Sequence, residues 1–148
     1  MKRRDNWGRR HLAVVVVLTG MAAWLLTPSP AMAAADPSAE LKTATTHVGF
    51  AAKYEALKEV TMHLHHALNC LVGPQDKLFD AAAGNPCQGQ GNGYLPDLKV
   101  AKGETPAYYD AWWAAQIAGQ AVTSNNLAEA KTAVRLVDRA LQDAAKAM

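Results

Sequence analysis

From Pro37 to about Val72 apolar side chains return every three or four residues. Leu41, Ala44, Val48 and Ala51 come first, followed by Leu57, Val60, Leu64, Ala67 and Leu71. That period puts them on one side of an α-helix, so the pattern predicts one long amphipathic helix over residues 38–72. The stripe slips between Ala51 and Leu57, not far from Gly49, which predicts a kink or a change of packing partner. Gly73-Pro74 ends the helix.

Residues 73–104 read as an irregular segment. Pro74 to Ala83 can make a short helix, whereas Gly84 to Pro96 is crowded with turn formers (Gly84, Asn85, Pro86, Gly89, Gly91, Asn92, Gly93) and carries no helical pattern. Thr105-Pro106 is a helix start, an N-cap followed by proline at the first helical position. The helix expected over 106–123 is apolar on more than one side, with Tyr108, Tyr109, Trp112 and Trp113 near its beginning. Ser124-Asn125-Asn126 connects it to a last helix over 127–147, whose stripe runs Leu127, Ala130, Val134, Val137, Leu141, Ala144. These two form an antiparallel hairpin. The expected fold is therefore all-α. One long helix, a loop and a C-terminal helical hairpin make a single small bundle over residues 34–148.

The first residues set the compartment. Met1 to His11 is basic, Leu12 to Leu26 is almost wholly apolar, and Thr27-Pro28-Ser29-Pro30 leads into Ala31-Met32-Ala33, the order of a signal peptide cleaved after Ala33. The apolar run of about fifteen residues is short of the roughly 20 that a membrane span needs. Arg9-Arg10 loosely matches a twin-arginine export signal, with ordinary export as the alternative. The expectation is an exported protein, periplasmic or secreted, with no membrane span after cleavage. The leader also changes the charge. The chain of 148 residues carries +2, but removing Lys2, Arg3, Arg4, Arg9, Arg10 and Asp5 leaves ten basic and twelve acidic residues. A faintly acidic domain with scattered lysines has no electrostatic footprint for nucleic acid.

Export gives the two cysteines a meaning. In an oxidising compartment Cys70, in the last turn of the long helix, and Cys87, within the loop, are expected to form a disulfide. The alternative is a pair of thiolate ligands.

The densest concentration of donors is Met62-His63-Leu64-His65-His66. His63 and His66 stand on adjacent turns about 60° apart and can both reach one ion. Glu59 lies one turn before His63, so Glu59, His63 and His66 form a ladder that zinc or copper accept, and Met62 would favour copper(I). The spacing fits neither a zinc-peptidase nor a di-iron signature. His65 points away, and on one continuous helix His47 would lie roughly 24 Å from His63. A further ligand would come from a group such as Asp110, Tyr109 or Asp97. A b-type haem is a further candidate, whereas covalent haem attachment is excluded because Cys-x-x-Cys-His is absent.

Two classes of function follow. One is a periplasmic protein that binds copper or zinc through His63, His66, Glu59 and Met62 for storage, buffering or delivery. The other is an interaction module with incidental histidines, its surface built on Tyr108, Tyr109, Trp112 and Trp113 and its partner an unknown periplasmic protein or a second copy. No complete acid–base or nucleophile set is visible, so an enzyme is not expected.

Overall fold

The computed structural model describes residues 35–148, whose regular elements are all helical with no strand among them. The expected leader over residues 1–33 lies outside the described residues. The helices are α1 (Pro37–Lys53), α2 (Leu57–Val72), α3 (Tyr94–Lys102), α4 (Pro106–Ala121) and α5 (Leu127–Lys146), with one 3-10 turn at Ala81–Ala83. None of them is long and apolar enough to cross a membrane.

The chief difference from the sequence pattern is at its longest element. The helix expected over 38–72 is two helices, because Tyr54 and Ala56 adopt extended backbone, with ψ of 146° and 138°. No proline or glycine forces the break. The slipped stripe explains it. Leu41, Ala44, Val48 and Ala51 of α1 and Val60, Leu64, Ala67 and Leu71 of α2 are all buried in one core. On a straight rod the two sets would face different directions. A reversal at residues 54–56 lets both turn inward, and α1 lies along α2 as a hairpin. The C-terminal hairpin of α4 and α5 packs onto it through α1–α5 and α2–α4 contacts, closing a four-helix bundle. Alanines at 44, 67, 111, 114, 115, 118, 130 and 144 are fully covered, so the helices approach closely around Leu64, Leu68, Leu71, Val137 and Leu141.

The connection between the hairpins is more ordered than its composition suggests. The irregular stretch ends at Gly93 rather than at Glu104, because α3 begins at Tyr94. Pro96 sits in the first turn of α3, where a missing N–H costs nothing. Gly73, with φ of 73°, closes α2 against the backbone of Asn92, and a side chain at this position would collide with the Asn92 carbonyl. The disulfide expected between Cys70 and Cys87 is formed, with Cα atoms 5.3 Å apart, and ties the loop to α2. Closing a loop of this size contributes on the order of 3 kcal/mol in the chain-entropy account.

A buried carboxyl pair completes the connection. Glu40 of α1 is fully covered, accepts the Gly93 N–H at 2.7 Å and lies beside Asp97 of α3 against Gly91. Asp97 in turn accepts from the Asn92 amide at 2.7 Å and the Asn92 side chain at 2.9 Å. Two buried carboxyls this close disfavour a second negative charge, and Gly91 passes so close that any side chain there would strike both. Burial, with the charges of Asp97 and Asp36 added, pushes Glu40 up from 4.5 to about 7 against the lowering effect of the Gly93 N–H. A carboxyl whose folded pKa is raised contributes stability that is complete below its unfolded value and is lost as pH rises through the folded value. We expect this contribution to fade between pH 4.5 and about 7, by on the order of 3 kcal/mol. Buried histidines titrate with the opposite sign, so the informative quantity is the denaturation free energy of the wild type minus that of Glu40→Gln across pH. A difference that falls over this window is expected, and a flat one would contradict a proton held on buried Glu40.

Candidate metal centre

The α1–α2 reversal sets the site. His47 lies six residues before Lys53, the end of α1, and His63 six residues after Leu57, the start of α2. Folding the chain between those ends brings the two histidines level, with their Nδ1 atoms 3.2 Å apart. His66 adds a third ring from the next turn of α2, its centroid 4.8 Å from that of His47. Each of the three offers one ring nitrogen, and the three nitrogens lie within 4.8 Å of one another. This overturns the separation of roughly 24 Å expected for His47 and His63, which presumed a continuous helix.

Aromatic rings wall the cluster. The Phe50 ring meets His47 edge-on at 5.6 Å, and Tyr54 stacks on His63 at 5.2 Å. Both rings are half-exposed, so the cluster sits beneath the surface, nearer the 54–56 reversal than the open end of the hairpin.

His66 is the most constrained of the three. Its Nε2 lies 2.7 Å from the Ala83 carbonyl oxygen, which can only accept, so Nε2 carries the proton and donates. The other nitrogen, Nδ1, is buried and has no hydrogen-bond partner among the described residues. A fixed tautomer with a bare lone pair is the arrangement that metal-binding imidazoles take when their second nitrogen donates to a carbonyl. The Ala83 carbonyl is placed by Asn69, which is 1% exposed. Its Nδ2 donates to the carbonyls of Asp80 and Gly84, both at 2.7 Å, and its Oδ1 accepts the Asp80 N–H at 2.9 Å.

The electrostatics favour neutral rings. Burial lowers His47 to about 4, helped by the charges of His66 and His63, and burial lowers His63 likewise. Neutral imidazole is the form that coordinates a metal. In the neutral pair one Nδ1 must donate to the other across 3.2 Å, a proton that a bound cation would replace.

The other candidate residues are distributed as follows. Glu59 is half-buried, and its Oε2 is covered without a hydrogen-bond partner among the described residues; it is not one of the three convergent groups. Met62 is exposed on α2. His65 faces away, its Nδ1 3.8 Å from Asp80 Oδ2. Asp97 accepts from Asn92, and the Tyr109 hydroxyl donates to Glu104 at 2.8 Å, so both serve other contacts. Tyr108, Tyr109, Trp112 and Trp113 line a shallow cleft with Glu104 on α4, where Trp113 is 58% exposed. Sequence reasoning missed His47 as a partner of His63, and also Asn69 and the Ala83 carbonyl. The slipped stripe was the available signal for His47. No protein-family model, curated protein or solved structure matches the chain.

The geometry makes a direct prediction for the metal-free protein. Nitrogen-15 NMR of the imidazoles should find His66 as the Nε2–H tautomer, with a bare-nitrogen shift at Nδ1. A Nδ1–H tautomer or rapid averaging would contradict the hydrogen bond to Ala83.

Proposed function

We propose that this chain is an exported binding protein that holds one transition-metal ion on His47, His63 and His66 and stores, buffers or delivers it. The observation that carries the reading is the convergence of three imidazoles from two helices, with the Nδ1 of His66 buried and unpartnered among the described residues. A buried polar atom without a partner costs free energy, and a cation would remove that cost. Imidazole donors suit zinc and copper. Three nitrogens meeting at one point suit a small ion better than haem, whose iron needs ligands along an axis through a slot. The half-exposed Phe50 and Tyr54 leave the ion near the surface, where it can be handed on. The disulfide and the leader-like first residues support an oxidising, exported setting.

Isothermal titration of the mature, untagged protein with zinc, and with copper(I) under a competing chelator, tests this reading. One ion per chain is expected. His47→Ala and His66→Ala should each weaken binding at least a hundredfold, whereas His65→Ala, Glu59→Gln and Met62→Leu should change it less than tenfold. A wild type that binds neither ion, or a His47→Ala variant that binds like wild type, would overturn it. The exposed Trp112, Trp113 and Tyr109 support a second reading, a protein-contact surface on α4. That reading would be favoured by metal-independent self-association abolished in Trp113→Ala.

A further inference from the structure

We propose that Asn69, which contacts none of the three histidines through its hydrogen bonds, is a positioning residue of the metal centre and sets the affinity of the site through the Asp80–Gly84 turn. This inference rests on the metal-binding reading above. Asn69 follows His66 by three residues on α2, so the two occupy successive turns. One buried amide fixes both ends of the turn. It donates to the carbonyls of Asp80 and Gly84 and accepts from the Asp80 N–H, using its oxygen and both of its donor hydrogens. Between those ends, the Asp80 side chain accepts the Ala82 N–H at 2.9 Å and shapes the 3-10 turn. What that turn presents to the site is the Ala83 carbonyl, 2.7 Å from His66 Nε2. α2 therefore supplies both the ligand and, through Asn69, the backbone group that orients it. The Cys70–Cys87 bridge, on the residue next to Asn69, holds the far end of the same loop.

The arrangement has a chemical consequence. With the turn in place, His66 must be an Nε2–H imidazole, which leaves the buried Nδ1 as its unprotonated nitrogen. With the turn displaced, Nε2 loses its acceptor, both tautomers become accessible, and the ring is free to rotate. Loss of such an outer partner typically weakens metal binding by about 10- to 100-fold. A residue that served only to stabilise the bundle would leave the His66 tautomer unchanged in the folded variant.

The test compares wild type, Asn69→Ala and Gly84→Ala as full mature chains. Gly84 has φ of 90°, so a side chain there strains the same turn while leaving the interior of α2 intact. Nitrogen-15 imidazole spectra of the zinc-free proteins and zinc affinity by chelator competition are the two readouts. In both variants the His66 tautomer signal is expected to shift towards averaging, with zinc affinity falling 10- to 100-fold and stoichiometry staying at one. If Asn69→Ala fails to fold, Gly84→Ala carries the same readouts. A folded variant with wild-type tautomer and wild-type affinity would overturn the inference while leaving the metal reading intact. A wild type that binds no zinc or copper would remove the metal reading itself, and this proposal with it.

Discussion

Two apolar stripes that are out of phase cannot face one core along a straight helix, and this mismatch governs the molecule. The set at Leu41, Ala44, Val48 and Ala51 and the set at Val60, Leu64, Ala67 and Leu71 are both fully or almost fully covered. Burying a Val or Leu side chain contributes about 1.5–3 kcal/mol, so leaving either stripe in water would cost far more than breaking a few helical hydrogen bonds at residues 54–56. The reversal satisfies both sets and makes the α1–α2 hairpin. The same reversal brings His47 against His63, 16 residues away in sequence. Core packing and the histidine cluster thus depend on one backbone event.

Around the hairpin the chain uses a second device, a loop made rigid by polar contacts rather than by regular structure. Asn69 gathers the Asp80–Gly84 turn, the Cys70–Cys87 bridge ties its far side, and Gly73 allows the backbone of residues 92–93 to cross the end of α2. Glu40 then links Gly93 to α1. Buried polar groups that are fully paired specify a unique arrangement. Among the described residues the exceptions include Nδ1 of His66 and Oε2 of Glu59, beside or one turn from the cluster, and Oε2 of Glu40, which lies in the carboxyl pair.

Much of this was legible in the sequence. The all-α class, the C-terminal hairpin, the N-cap at Thr105 and the disulfide follow from periodicity, capping chemistry and cysteine count. The break at residues 54–56 was harder to read because Tyr54-Glu55-Ala56 contains no breaker, and only a shift of phase marks it. Helix α3 was hidden because Gly93 and Pro96 both suggest a turn, although each is well tolerated at a helix start, one as cap and one in the first turn. The pairing of His63 with His66 needs only local geometry and could be read from spacing. His47, Asn69 and the Ala83 carbonyl reach the site through tertiary folding, and an alanine carbonyl leaves no trace in composition.

The proposed centre requires His47 to join His63 and His66 around one ion. X-ray absorption at the zinc edge, on mature protein carrying one equivalent of zinc, tests that most directly. Three imidazole nitrogens at about 2.0–2.1 Å, reduced to two in His47→Ala, is the predicted result. A first shell containing sulfur, or one unchanged by loss of His47, would contradict it.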